Sequence, residues 1–197
     1  MTKALGNIRD YVFRGLLFES EAEKFKKAGI HVGTEALDTE RLLMRESLAP
    51  FGLERRNQAI EMSRLYAILH AFENEIRSLI RDTMDEHKPG DWWNSTAIPK
   101  NVRQIADSRK KAAEKDSWLE GSKEDNLSFV DFGDLSSIIV ENWDLFRDVV
   151  PSQDWVRQRM SELEKARHFV AHNRMLLPSE FQRIYMYISD WNKVIGL

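Results

Sequence analysis

Residues 65–80 read Leu-Tyr-Ala-Ile-Leu-His-Ala-Phe-Glu-Asn-Glu-Ile-Arg-Ser-Leu-Ile, within a chain of 197 residues. Apolar residues recur here every three or four positions, which is the spacing of one face of an α-helix. Charged side chains such as Arg64, Glu73 and Arg77 occupy the other faces. The pattern predicts a core helix from Leu53 to Glu86, which the Pro89-Gly90 pair then ends.

Helical spacing also dominates the rest of the chain, and it predicts an all-α, up-and-down helical bundle without a convincing β-strand. We expect an extra N-terminal helical segment over residues 1–52 and the bundle over residues 53–197. Ser152 is expected to cap the penultimate helix, and a Ser179-x-x-Gln182 capping box is expected to start the last one. Apart from the core helix, the predicted helices span residues 4–28, about 39–48, 99–116, 131–146, 152–173 and 179–194.

The composition favours a cytoplasmic protein with no general attraction to membranes or nucleic acids. Hydrophobic residues make up 42% of the chain, but no apolar run reaches the ~18 residues of a membrane span. The absence of cysteine fits a reducing compartment, and the first residues are followed by charges rather than by an apolar export signal. The net charge of −3 and the lack of a helix-turn-helix signal give DNA binding little support.

Most short motifs that carry chemistry are missing from the sequence. It contains neither a phosphate-binding P-loop nor a dinucleotide-binding fingerprint. The five histidines lack the spacings of familiar metal-binding motifs, so we expect neither a metal nor a cofactor. Asp131-Phe132-Gly133 matches a protein-kinase triplet, but the other kinase motifs are absent, and we expect it to cap a helix.

Arg167 is unusual because it places a charge where the penultimate helix is expected to be apolar. At about 100° per residue, its side chain points into the middle of a stripe formed by Val156, Met160, Leu163 and Val170. A guanidinium cannot be buried there without a partner, because removing a charge from water is costly. Two explanations remain open: a carboxylate meets Arg167 inside the bundle, or this face lines a cleft or an interface.

His172 follows Arg167 by five residues, and on a straight helix their side chains point about 140° apart. An arginine and a histidine with four to six residues between them occur three times in the chain, so this spacing alone has no specificity. A second copy of the chain, or a bend near Ala171, would bring the two side chains together. Without either, the residues predict an Arg–carboxylate pair within one chain and a partly exposed His172.

Residues 167–173, Arg-His-Phe-Val-Ala-His-Asn, resemble the signature of the HEPN superfamily: arginine, a polar residue, further helical residues and then histidine. The wider sequence resembles one branch, found at the C-terminus of a nuclear RNA-surveillance endonuclease and in bacterial phage-defence proteins. This wider resemblance covers about residues 55–195. It rests on four motifs: Asp91-Trp92-Trp93, Asp131-Phe132-Gly133-Asp134-Leu135, Asn142-Trp143 and Tyr187-Ile188-Ser189-Asp190-Trp191.

The resemblance implies a homodimer through the C-terminal helices, in which two Arg–His pairs face one cleft and cleave RNA without a metal or cofactor. The 2′-hydroxyl attacks the adjacent phosphorus and leaves a 2′,3′-cyclic phosphate and a 5′-hydroxyl. Catalysis is assigned to Arg167, which stabilises charge on the phosphoryl oxygens, and to His172, which transfers protons. Substrate contacts are assigned to His168, Asn173 and Arg174.

Two functions remain open at this level. The first is a metal-independent endoribonuclease acting as a toxin or phage-defence effector, with an antitoxin or defence-system partner. The second is a non-catalytic helical module that binds a partner, a nucleotide or RNA. Arg174 stands where some HEPN toxins carry a tyrosine that a partner enzyme modifies, so modification of a tyrosine at that position is excluded.

Overall fold

The computed structural model describes residues 24, 41–42, 44–115 and 125–195. The chain divides into two units, Met1–Asn57 and Gln58–Leu197. In the first unit, residues 41–42 and 44–48 are helical. The helix predicted over residues 4–28 lies outside the described residues except for Lys24, and the proposed domain boundary after residue 52 stays a prediction.

Helices alone form the regular structure of the described residues, which contain no β-strand. The predicted all-α fold is therefore confirmed. No helix in these ranges combines the length and apolar character needed to cross a bilayer. The helices are α1 (Leu53–His87), α2 (Lys100–Ala113), α3 (Phe132–Glu141), α4 (Trp143–Phe146), α5 (Gln153–Ala171) and α6 (Pro178–Ile195), with a 3₁₀ turn at Asn126–Phe129.

The core of the second unit forms around the apolar face of α1. The Phe72 ring stacks on Phe132 at the start of α3, with centroids 6.0 Å apart, and meets Trp191 of α6 edge-on at 5.7 Å. Trp191 is fully buried. The α1 face buries side chains at the predicted spacing, which confirms this helix as a core element: Leu65, Leu69, Phe72, Ile76, Ile80 and Met84.

The helix predicted over residues 131–146 is in fact two helices, because Asn142 interrupts it. The Asn142 backbone leaves the helical region (φ −105°, ψ 34°), and its buried side-chain amide donates to the carbonyls of Ala97 and Ile138, both at 2.8 Å. Its amide oxygen accepts from Lys88 Nζ at 2.7 Å. The side chain therefore competes for a helical carbonyl while it fastens the loop before α2 to the end of α3.

The predicted start of the last helix is also wrong. The helix begins at Pro178, where the missing N–H costs nothing, and the Leu177 backbone N–H donates to Glu180 Oε2 at 2.6 Å. Ser179 lies inside the helix rather than at its cap. By contrast, Ser152 caps α5 as predicted, since its Oγ accepts from the Trp155 backbone N–H at 3.1 Å.

Replacing Phe72 tests the core. We expect Phe72→Ala to lower the free energy of unfolding by about 3–5 kcal/mol, because it removes a buried ring from contact with two other helices. Tyr66→Ala is the matched control: it removes an aromatic ring from the same helix at a position that is 51% exposed. Urea denaturation followed by circular dichroism measures both changes, and similar losses in the two variants would contradict the assignment.

Candidate functional site

The predicted motif, residues 167–173, begins in the C-terminal half of α5. The inner face of this helix is buried in the core. Its buried residues are Val156, Met160, Leu163, Ala166 and Val170. Arg167 emerges on this same side, with a side chain that is 29% exposed and an Nε that has almost no contact with solvent. Arg167 therefore lies on the buried side of α5, as the sequence predicted.

Glu73 of α1 is the carboxylate that meets Arg167. Its Oε2 lies 3.5 Å from Arg167 Nε, and its Oε1 accepts a hydrogen bond from Arg77 Nη2. Arg77 also donates to the carbonyls of Leu127 and Val130, both at 2.8 Å. Glu73 is almost completely buried, so two guanidinium groups compensate its charge. Of the two explanations for Arg167, the structure shows the carboxylate within the same chain.

Two further carboxylates, those of Asp131 and Asp134, lie at the start of α3. Asp131 occupies the N-cap, as predicted for this triplet, and its backbone N–H donates to Asp134 Oδ2 at 3.3 Å. Arg109 of α2 contacts both carboxylates, through Nη2 to Asp131 at 2.7 Å and through Nη1 to Asp134 at 3.3 Å. Together they connect α2 to the first turn of α3.

The pKa values of Asp131 and Asp134 are shifted in opposite directions. Burial disfavours the charge on Asp131, but the charge and hydrogen bond of Arg109 outweigh it and lower the pKa of Asp131. Burial and the neighbouring Asp131 charge raise the pKa of Asp134 to about 6. Arg167 also helps to lower the pKa of Asp131, so its charge extends into this group.

His168 lies beside two carboxylates rather than beside His172. One ligand atom from each of Asp131, Glu164 and His168 lies within 4.8 Å of the others. Burial, followed by the Asp131 charge, raises the pKa of Glu164. A methyl group added at Gly133 would lie 2.8 Å from Glu164 Oε2, so a side chain at this position would require the Glu164 carboxylate to shift. These are the residues that could hold a metal ion.

The remaining predicted site residues lie at the end of α5. His172 is the C-cap, Asn173 adopts a left-handed conformation (φ 55°), and Arg174 N–H donates to the Phe169 carbonyl at 3.1 Å. This Schellman-type ending stops the helix two residues before the predicted end at Asn173. The Arg174 guanidinium lies 5.3 Å from the centre of the Phe169 ring.

The structure therefore separates the predicted site residues into three groups. Arg167 contacts Glu73, His168 lies with Glu164 and Asp131, and His172 is exposed on the helix end. Within the described part of the chain, the His172 ring makes no hydrogen bond or ion pair. Sequence reasoning did not identify Glu73 or Asp131 as partners, since both are distant in sequence. Glu164 precedes His168 by one helical turn, a spacing that was visible in the sequence.

Several large apolar side chains near the end of α5, in the turn that follows and on α6 are exposed. We call this set the C-terminal apolar surface: Phe169, Met175, Leu177, Tyr185 and Met186. A groove of about 390 Å³ between α5 and α6 adjoins it and includes Phe169, Lys165 and Arg183. Exposed apolar side chains mark an interaction site where they form one contiguous patch.

Glu73→Gln tests the central ion pair. It preserves the size of a buried side chain but removes its charge, which leaves Arg167 and Arg77 without a compensating carboxylate. We expect a loss of about 3 kcal/mol in the free energy of unfolding. Glu75→Gln, at an exposed position on the same helix, is the matched control and is expected to change little.

A double-mutant cycle of Glu73→Gln with Arg167→Gln assigns part of that loss to the pair itself. Direct contact predicts a coupling energy of at least about 0.5 kcal/mol. Additive effects of the two substitutions would show that Glu73 does not hold Arg167.

Comparison with known proteins places this geometry in a family. Residues 67–196 match the family described as Swt1-like HEPN, and the match includes Glu73, Arg167 and His172. No curated protein shows significant similarity to the chain, and no solved structure does either. The family match covers well over half of the chain, and the all-α fold agrees with it. The chain belongs to the Swt1-like HEPN family.

Proposed function

We propose that the protein is a metal-independent endoribonuclease whose reactive residues are Arg167 and His172. The observation that carries the proposal is the way in which Glu73 holds Arg167. The pair is an ion contact through Nε, at 3.5 Å, without a hydrogen bond, and no hydrogen bond of Arg167 to another side chain or carbonyl occurs within residues 44–115 and 125–195. An anion that reaches the Nη groups competes with the nearby carboxylates of Asp131 and Glu164, on which the Arg167 charge already acts. A guanidinium fork suits phosphoryl oxygens.

In the proposed reaction, the 2′-hydroxyl of RNA attacks the adjacent phosphorus and loses its proton to a base. The bond from phosphorus to the 5′-oxygen breaks, and that oxygen takes up a proton from an acid. The products are a 2′,3′-cyclic phosphate and a 5′-hydroxyl. A histidine can serve in either proton transfer because its ordinary pKa is near neutrality, and Arg167 stabilises the charge that develops on the phosphoryl oxygens.

The other residues of the motif would contact the substrate. Asn173 and Arg174 are exposed next to His172, where an amide and a guanidinium can donate to phosphate or base groups. His168 is exposed on the preceding turn and can contact the backbone of the RNA. These roles remain part of the proposal.

A homodimer would bring Arg167 of one copy close to His172 of the other. In one chain, Arg167 and His172 diverge around α5, whereas a second copy can place its own His172 opposite Arg167. The C-terminal apolar surface supports contact through α5 and α6, because it leaves several large apolar side chains exposed at this end of the molecule. Resemblance to phage-defence proteins extends the proposal to a toxin or defence effector that a partner protein controls.

RNA cleavage by point variants tests the assignment. We expect His172→Ala and Arg167→Lys each to slow cleavage by at least about 100-fold, because one removes the proton-transferring group and the other the guanidinium fork. His87→Ala, which removes an exposed histidine from the end of α1, is the matched control and is expected to cleave normally. Labelled RNA resolved on denaturing gels gives the rates, and circular dichroism confirms folding.

The products and the metal requirement give independent checks. Cleavage is expected to leave 2′,3′-cyclic phosphate ends, to continue in EDTA, and to stop when a 2′-deoxynucleotide replaces the attacking residue. Unchanged cleavage by His172→Ala, or loss of cleavage in EDTA by protein that circular dichroism shows to remain folded, would rule out the proposed mechanism.

One observation favours a second function, a non-catalytic module that binds a partner, a nucleotide or RNA. Arg167 already has a buried carboxylate partner within its own chain, and His172 lacks a side-chain partner in the described residues. Such a module would bind RNA or a partner protein without turnover. Wild-type protein that retains RNA in a filter-binding assay but cleaves none would support this alternative over the endoribonuclease.

The dimer contact is tested by placing a charge on the C-terminal apolar surface. We expect Met186→Asp to convert a dimer into monomers, because it would bury an unpaired carboxylate in the interface. Tyr66→Asp is the matched control, since Tyr66 of α1 has the same exposed fraction, 51%, and lies away from that surface in sequence. Light scattering coupled to gel filtration measures the masses, and a monomeric wild-type protein at all concentrations would contradict the proposal.

A further inference from the structure

A three-residue cluster at the junction of α3 and α5 has the composition of a metal site. We propose that Asp131, Glu164 and His168 together bind one divalent transition-metal ion. Their ligand atoms, two carboxylate oxygens and one imidazole nitrogen, all lie within 4.8 Å of one another. Neither Arg167 nor His172, the residues to which catalysis is assigned, belongs to this site, whereas His168 is shared with the proposed RNA contacts.

The backbone brings these ligands together from two directions. Glu164 and His168 are four residues apart on α5, so their side chains leave the same face of the helix one turn apart. Asp131 approaches from the N-cap of α3, the helix that packs most closely along α5. Ligand atoms around a tetrahedral or octahedral ion lie about 3–4 Å apart, so side-chain rotations alone can close this cluster onto a metal.

The surroundings favour a bound cation. The Glu164 carboxylate accepts no hydrogen bond from the described residues, although it is half-buried against Gly133. Arg109 holds Asp131 through one oxygen at 2.7 Å, the kind of outer contact that orients a metal-ligating carboxylate.

The charge balance points the same way. Counting the connected groups, four carboxyl groups face only three guanidinium groups: Glu73, Asp131, Asp134 and Glu164 against Arg77, Arg109 and Arg167. An excess of negative charge beside an imidazole attracts a cation.

The donor set indicates which ions the cluster accepts. Imidazole is a common ligand of Zn²⁺, Co²⁺ and related ions, whereas Mg²⁺ and Ca²⁺ prefer oxygen ligands alone. A bound ion would join the first turn of α3 to the second half of α5, directly beside Arg167. Because the unfolded chain does not preform the cluster, binding would also stabilise the fold.

Zinc titration of the full chain tests the site. Protein freed of metal with EDTA is titrated with ZnCl₂ by calorimetry, and its thermal unfolding is followed with ZnCl₂, CoCl₂ or MgCl₂. We expect one equivalent of Zn²⁺ to bind and to raise Tm, and MgCl₂ to have no comparable effect. His168→Ala and Glu164→Gln are each expected to weaken binding by at least about tenfold.

Two other histidines provide controls. His70→Ala removes an exposed histidine on α1 that contacts Asn74, and His172→Ala removes the histidine proposed for RNA cleavage. Both are expected to bind Zn²⁺ like the wild type, so failure of the metal site and failure of the cleavage proposal remain distinguishable. His168 is exposed, so His168→Ala is expected to fold even where Glu164→Gln does not.

The absorption spectrum of bound Co²⁺ gives a second readout that a purely structural effect would not change. We expect the Co²⁺ spectrum to appear with the wild type and with His70→Ala, and to disappear with His168→Ala. Equal Zn²⁺ affinity in the wild type and His168→Ala, or no binding by the wild type, would overturn the proposal.

Discussion

The buried carboxylate of Glu73 is the constraint on which the candidate site depends. Removing a charge from water is costly, so Glu73 requires its two guanidinium partners, and Arg167 requires Glu73. The pair sets the position of Arg167 on α5 relative to α1. Arg77 extends the same network to the carbonyls that precede α3. Through its two arginine partners, one acidic side chain thereby links α1 to α5 and to the segment that precedes α3.

Electrostatics also separates the residues of the motif by role. Arg167 is paired through its Nε with Glu73, and its charge also acts on Asp131 and Glu164. His168 faces Glu164 and Asp131, whose carboxylates attract a cation. His172 lies on an exposed helix end and can meet another molecule. Three residues within the short stretch 167–172 therefore reach three different surroundings around one helix.

Family membership does not by itself bring Arg167 and His172 together. Membership of the Swt1-like HEPN family follows from the match over residues 67–196 and agrees with the all-α fold. Whether Arg167 and His172 act together depends on a second molecule, because within one chain the helix directs them apart. The exposed apolar side chains of α5 and α6 are the feature of this chain that favours such an assembly.

Interactions between residues that are close in sequence made much of the fold predictable. The three- and four-residue spacing of Leu65, Leu69 and Phe72 defined the core face of α1, and the hydroxyl of Ser152 marked the start of α5. Both signals act within a few residues, so they are legible in the sequence. The interruption at Asn142 was not, because its amide is drawn to carbonyls that include Ala97, 45 residues away. For the same reason the sequence could show that Arg167 needed a partner but not that Glu73 supplied it, nor that Asp131 would meet His168. Such pairings depend on how distant helices pack, and only the tertiary structure specifies them.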